Sequence, residues 1–322
     1  MDNRETINIL CATDNNYAPY CGIMLTSLFD SNRDCRFNVY VFIDDDLSGI
    51  NKKKYNKLGQ KYGNIINLMK IDNSMIEGFP ITPSHITRPT YYRLLAAELL
   101  PNDIHRVIYL DSDLVVVGDI KPLWNVDIEG KALAGIRGCS DFVQHHCERL
   151  NYPRLFDYFN AGVLIINLDY WRMMQLNEKL IAYVLGSSSS LLLMDQDVLN
   201  GVLYDKKLLL PSRYNFQVLL FTTQFWNHYT SELQQYYLDE VQHVCIVHYA
   251  GGEKPWSIRQ YGGPFFSVWN KYRRISMWRK CCEIKPLKKR VKHVVKRYVF
   301  PDLFRRQHPE WVVVPENRRY YV

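Results

Sequence analysis

The stretch Val107-Ile108-Tyr109-Leu110-Asp111-Ser112-Asp113 decides how this chain is read. Four apolar, β-prone residues run straight into two carboxylates spaced i, i+2. Side chains alternate along a strand, so residues two apart share a face and both carboxylates can address one hard cation. Charge at the end of a buried strand is costly unless it is paired or binds metal. In an α/β sheet the carboxyl ends of the strands are also where ligands bind. The stretch therefore predicts a strand feeding a divalent-metal site that serves a phosphorylated substrate. A turn or helix cap is the competing reading of an Asp-x-Asp taken alone.

Outward from this stretch, strand and helix alternate. Residues 7–13, 37–43 and 65–71 read as strands, and 19–30 and 47–62 as helices between them. Residues 91–100 read as a helix stopped by Pro101. Further short strands are expected at 106–110, 114–117, 132–137, 162–167 and 244–249, with a Gly-rich loop at 251–263. That alternation predicts βαβ units and a mostly parallel, mixed sheet.

The bulk numbers narrow the class. The 322 residues are 47% hydrophobic and 14% aromatic, which excludes wholesale disorder. The net charge of +7 is unevenly placed: residues 278–322 carry 13 basic and 4 acidic side chains, and residues 1–277 carry 27 and 29. A near-neutral body lacks the basic footprint of nucleic-acid binding, so no nucleic-acid partner is expected. The eight cysteines (11, 21, 35, 139, 147, 245, 281 and 282) show no CxxC pair and no zinc spacing. The first residues pass directly into a strand without a signal-peptide pattern, and no apolar run reaches a membrane-spanning length. A reducing, cytoplasmic location is the expectation.

Several segments fall just past predicted strands. They are Ala12-Thr13-Asp14-Asn15-Asn16-Tyr17, Leu110-Asp111-Ser112-Asp113, Met194-Asp195-Gln196-Asp197-Val198-Leu199-Asn200 and His248-Tyr249-Ala250-Gly251-Gly252-Glu253-Lys254-Pro255-Trp256. With Pro89-Thr90-Tyr91-Tyr92-Arg93-Leu94 and Phe159-Asn160-Ala161-Gly162-Val163, the set resembles glycosyltransferase family 8 over roughly residues 7–256. It looks most like that family's bacterial lipopolysaccharide α-galactosyltransferases and α-glucosyltransferases. The combination is specific, although no single piece is.

The resemblance implies a single-sheet, GT-A type nucleotide-diphospho-sugar transferase fold, spanning residues 1–277. It implies a retaining, metal-dependent transfer of galactose or glucose from a UDP-sugar to a glycan or lipid-linked glycan, such as lipopolysaccharide core. By resemblance Asp111, Asp113 and His248 hold the metal, Mn²⁺ with Mg²⁺ as the alternative, because an imidazole suits Mn²⁺ better. Taken alone, a strand-end His reads as a hydrogen-bonded core residue.

Gly251 and Gly252 let backbone approach an anion, and Lys254 supplies a point charge for a diphosphate. Asp14 and Asn16 would bond the base or ribose, and Ala12 and Tyr17 would line the nucleoside pocket with Ser112 close by. Asp14 or Asn15 would serve equally as a helix cap. The family often has Asp where this chain has Asn15. Arg93 would reach phosphate or sugar hydroxyls, and a solvated helix charge is the alternative. Asn160 would bond a sugar hydroxyl, and His85 would touch acceptor or phosphate.

Asp195 and Asp197 favour a helix N-terminus electrostatically. By resemblance Asp195 holds the donor sugar and Gln196 sits near the anomeric carbon. Glutamine is a poor nucleophile, so same-face attack is favoured, with double displacement through Asp195 left open.

Residues 286–300 place Leu287, Val291, Val294 and Tyr298 at helical spacing, with Lys288, Lys289, Lys292, Lys296 and Arg297 opposite. Trp278, Phe300, Phe304 and Trp311 flank the run. A basic helical appendage at 278–322 suits an anionic membrane surface, which would make the enzyme peripheral on the inner face of the cytoplasmic membrane. Docking of this helix on the body is the competing reading. The rival from another functional class is a catalytically inactive UDP-sugar-binding or scaffold protein.

Overall fold

A computed structural model describes residues 4–80, 88–138, 143–187, 191–252, 254–256 and 265–281. Among the described residues, ten strands form two sheets. They are β1 (Thr6–Thr13), β2 (Arg36–Ile43), β3 (Ile65–Lys70), β4 (Arg106–Leu110), β5 (Leu114–Val116), β6 (Leu133–Arg137), β7 (Phe159–Asn167), β8 (Lys207–Leu210), β9 (Phe216–Gln217) and β10 (Ile246–His248). The principal sheet has seven strands in the order β3-β2-β1-β4-β7-β6-β8. Only β7 runs against its neighbours, β4 and β6, so the sheet is mixed and mostly parallel.

The single-sheet expectation needs one addition. A second sheet of order β5-β10-β9 stands beside the first. Its strands are two or three residues long, too short to show a period in the sequence. The chain leaves β4, turns through Asp111–Asp113 and enters β5, which pairs antiparallel with β10.

Both faces of the principal sheet are covered. Ile7, Ile9 and Cys11 of β1 pack with Phe37, Val39 and Ile108 on one side. Leu10 and Ala12 pack with Phe42, Val107 and Tyr109 on the other. Such strands read as continuous apolar runs, because neither face needs polar residues. Each fully buried aliphatic side chain contributes about 1.5–3 kcal/mol, which makes β1 and β4 rigid supports for the turns that follow them.

Helix Ala18–Ser31 carries β1 to β2, and helix Gly49–Tyr62 carries β2 to β3. Ser48 caps the second helix through the Asn51 N–H, and Gly63 ends it in a left-handed conformation. The chain then crosses back over β1 to enter β4 on its other side. The strand order therefore reverses at β1 and β4, and a cleft opens outside their carboxyl ends. Where residues 91–100 were expected as a helix, the chain forms a 3₁₀ segment Arg88–Leu95 and one α-turn Ala96–Leu99 across the floor of that cleft.

Two other expectations bear on the body. The described cysteines 11, 21, 35, 147, 245 and 281 are unbridged. Trp278, expected as an aromatic flank of the basic tail, is buried at the edge of helix Gly49–Tyr62. Its indole N–H donates to Asn51 Oδ1 at 2.8 Å, and its ring lies 4.9 Å from that of Tyr55. The rest of the tail, residues 282–322, and His85 lie outside the described residues. Among the described residues no helix is long and apolar enough to cross a membrane.

Candidate active site

The cleft is lined by Ala12, Thr13, Asp14 and Tyr17 from the end of β1 and by Asp111, Ser112 and Asp113 after β4. Pro89, Thr90, Arg93, Tyr109 and Lys254 complete the lining. Strand β4 ends at Leu110, so the pleat does not aim the two carboxylates as its periodicity suggested. The turn between the two sheets aims them. Asp111 N–H donates to Gly162 O at 2.9 Å, and Tyr249 N–H donates to Asp113 O at 3.0 Å, so each Asp is fixed by a different neighbour. His248, at the end of β10, is paired in register with Leu114, the residue after Asp113.

One ligand atom each from Asp111, Asp113 and His248 lies within 4.8 Å of the others. Two hard carboxylate oxygens and one imidazole nitrogen suit a small divalent cation of the Mn²⁺ type, so the donor set fits. His248 Nε2 lies 3.2 Å from Asp113 Oδ1, and the Lys254 ammonium donates to Asp113 Oδ2 and to Tyr249 O at 2.8 Å. Burial would raise the Asp113 carboxyl, but Lys254 and His248 outweigh it and hold the group far below the usual carboxylate range.

Gly162 is required by close approach. A Cβ there would come within 2.4 Å of the His248 ring. Gly251 adopts φ 89°, a region that other residues enter only with strain, and it turns the chain from His248 toward Lys254. Gly251 itself is exposed and does not line the cleft.

Arg93 is the electrostatic centre of the floor. It is 4% exposed and bridges Asp111 at 2.8 Å and Asp195 at 3.0 Å, while a third N–H donates to Ala161 O at 2.6 Å. Its guanidinium also stacks over the Tyr109 ring, 4.1 Å from the centroid. Burial alone would lower its pKa, yet Asp111 and Asp195 raise it. The solvated-charge reading of Arg93 is thereby excluded.

Asp195 accepts from Thr90 Oγ1 at 2.5 Å and from Arg93. Burial pushes its carboxyl up to about 6, opposed by Arg93 and Thr90 and reinforced by Asp111. A carboxyl with a higher pKa folded than unfolded binds its proton preferentially in the fold. Its contribution therefore falls as pH rises from about 4 to about 6, by about 3 kcal/mol. In metal-free protein, Asp195→Asn should remove this component. Urea midpoints measured across that range should converge at low pH and favour the variant at neutral pH. A difference that stays flat with pH would show that Asp195 is not the buried titrating group.

Gln196 and Asn160 sit beside the cleft and not in its lining. Gln196 Oε1 accepts from Asn160 Nδ2 at 2.9 Å and from the Ala161 N–H at 3.0 Å. Asp197 is structural: it is fully buried, accepts the Arg149 guanidinium in bidentate fashion and receives the N–H groups of Leu192 and Leu193 ahead of helix Met194–Leu203.

The first loop divides its labour. Asp14 Oδ1 accepts the Tyr17 N–H at 2.8 Å, closing the turn ahead of helix Ala18–Ser31, and the residue also lines the cleft. The N-cap of that helix is Tyr17, without a side-chain cap bond, so neither Asp14 nor Asn15 caps it. Asn15 turns away to Ser48 and Asn51, which accounts for its place outside the lining. Asn16 is exposed and outside it as well. Ser112 Oγ donates to Ala12 O at 3.2 Å and ties the two strand ends together. Tyr17 meets Trp256 edge to face at 6.1 Å. The sequence reading missed Thr90 and Tyr109 as cleft residues, although both lie in the segments it singled out. It missed Asn215 altogether, and no local pattern marks that residue.

Known proteins resemble this chain in sequence and in fold. The family model that matches is Glycosyl transferase family 8, over residues 8–259. General stress protein A of Bacillus subtilis (strain 168) is 34% identical over 264 residues, covering 80% of this chain and 90% of that protein. A lipopolysaccharide 1,2-glucosyltransferase of Escherichia coli (strain K12) is 29% identical over 262 residues, covering 80% and 74%. Among solved structures, the galactosyltransferase LgtC in complex with donor and acceptor sugar analogues superposes with a TM-score of 0.73 at 25% identity. That match covers 89% of this chain and all of LgtC.

Proposed function

The chain belongs to glycosyltransferase family 8, and from the chemistry of its cleft we propose that it transfers galactose or glucose from a UDP-sugar to a glycan acceptor, with retention at the anomeric carbon. The observation that carries this reading is the convergence of Asp111, Asp113 and His248 beside Lys254, at the point where the strand order reverses. These three residues would hold the cation, Mn²⁺ before Mg²⁺, and a cation bound there supplies Lewis-acid neutralisation of the diphosphate charge. Lys254 adds a fixed positive charge at the same end, where the leaving group gains negative charge. Asp14, Ala12 and Tyr17 line the cleft after β1, where the uridine fits by resemblance. The exposed Asn16 would meet the base or ribose from the rim.

The donor sugar, joined to the diphosphate on the side away from the uridine, fits over Arg93 and Asp195. Both Asp195 oxygens are held by Thr90 and Arg93, and the Gln196 oxygen already accepts two hydrogen bonds. Gln196 is an amide and a poor nucleophile, and the pairing with Arg93 lowers the nucleophilicity of Asp195. This favours same-face substitution, in which a leaving diphosphate oxygen takes the proton of the acceptor hydroxyl. Isolation of a sugar covalently joined to Asp195 would overturn it.

The acceptor proposed is lipopolysaccharide core or a related surface glycan, in keeping with the named activity of the Escherichia coli relative. The excess of 13 basic over 4 acidic residues in 278–322 supports an anionic membrane surface as the place of work. UDP release from UDP-galactose and UDP-glucose, each with Mn²⁺ or with EDTA, tests the reading. Release is expected from one donor only, and only with metal. Release indifferent to EDTA, or absence of Mn²⁺-dependent UDP binding, would overturn it.

A further inference from the structure

We propose that Asn215 is a positioning residue that fixes the imidazole tautomer of His248 and couples it to the side chain of Gln196. The proposal rests on the metal reading given above. Asn215 is fully buried and closes the short 3₁₀ turn Ser212–Tyr214 just before β9, which runs parallel to β10 beside His248.

An unbroken chain of hydrogen bonds passes through it, and its direction is determined. The Asp197 carboxylate, paired with Arg149, only accepts, so the Tyr158 hydroxyl donates to it at 2.7 Å. That hydroxyl oxygen then accepts from Gln196 Nε2 at 3.0 Å. Gln196 Oε1 faces the Ala161 N–H and Asn160 Nδ2, and Asn160 Oδ1 faces the Gly162 N–H at 2.9 Å. Two backbone amides, which cannot flip, therefore fix which way the Gln196 and Asn160 side chains point. Asn160 Oδ1 also accepts from Asn215 Nδ2 at 2.8 Å.

The Asn215 oxygen is thereby turned to His248 Nδ1, 2.8 Å away. An amide oxygen cannot donate, so Nδ1 must carry the proton. Nε2, the nitrogen facing Asp113, is then the one left to bind a cation. Reversing Asn215 would set oxygen against oxygen at Asn160. Asn215, through Asn160, so links the metal ligand to the glutamine.

The test uses the full chain. In metal-free protein at alkaline pH, where imidazoles are neutral, ¹⁵N NMR should show His248 protonated on Nδ1. Asn215→Leu should yield a mixture of tautomers and weaken Mn²⁺, read by its EPR signal, by about 10–100-fold. Asn215→Asp keeps an oxygen on His248 but opposes Asn160. It should retain the tautomer and the Mn²⁺ affinity while kcat falls, which a general loss of fold would not produce. Wild-type His248 protonated on Nε2, or an Asn215→Leu protein with unchanged tautomer and Mn²⁺ affinity, would overturn the proposal. If the wild type shows the Nδ1 tautomer and binds no Mn²⁺, the metal reading fails and the assignment of Asn215 to the tautomer stands.

Discussion

Asp113→Asn should reduce metal-dependent UDP release by about 10³-fold or more, with Mn²⁺ binding lost in parallel. The substitution keeps the shape of the side chain and removes its charge. It takes away the carboxylate on which His248 and Lys254 converge. In metal-free protein the change also removes the ion pair between the Lys254 ammonium and Asp113, while the bond from Lys254 to the Tyr249 carbonyl remains. A cost of about 1–3 kcal/mol is expected, below the range for a fully sealed pair because both side chains keep some exposure. The β1 and β4 core is untouched, so the variant should still unfold cooperatively. Near-normal, EDTA-sensitive release from such a protein would remove Asp113 from the site.

Arg93→Met should cost about 3–5 kcal/mol of stability and abolish transfer. The reason is charge and not volume, since methionine fills much of the space left by the arginine stem. Without the guanidinium, Asp111 and Asp195 face each other across a buried floor with no cation between them. Asp195, already raised to about 6, would then take up a proton at neutral pH and lose its ionised form. Arg93→Lys should fall between the two proteins, because one ammonium cannot span Asp111, Asp195 and the Ala161 carbonyl together. Urea unfolding gives the stability directly. A loss below about 1 kcal/mol for Arg93→Met would mean that the two carboxylates do not depend on it.

Much of this enzyme was legible in one dimension because its chemistry is attached to strand ends. Runs such as 9–12 and 107–110 are apolar throughout, since both faces of the sheet are covered, and each is followed closely by the polar residues it presents. Asp14, Asp111 and Asp113 could be picked out on that ground, His248 was read as a ligand only through the resemblance, and the alternation of strand and helix was enough for the fold class. Composition was enough to separate a near-neutral body from a basic tail.

Other features depend on residues far apart in the chain. The second sheet was hidden because β5, β9 and β10 are too short to carry a period. The burial of Arg93 was hidden because its neighbours on the 3₁₀ segment do not reveal that two carboxylates, 18 and 102 positions away, close over it. Asn15, Asn16 and Asp14 look interchangeable in sequence, yet one turns inward to the helix beyond β2, one outward to solvent and one into the cleft. The sequence by itself determined which groups are available to bind a cation and a diphosphate, because that follows from residue type and from the ends of buried strands. Only the tertiary structure decided how those groups are oriented and charged. Hydrogen-bond direction and carboxylate pKa are set by partners such as Asn215 and Arg93, which the fold brings to the cleft and local sequence does not mark.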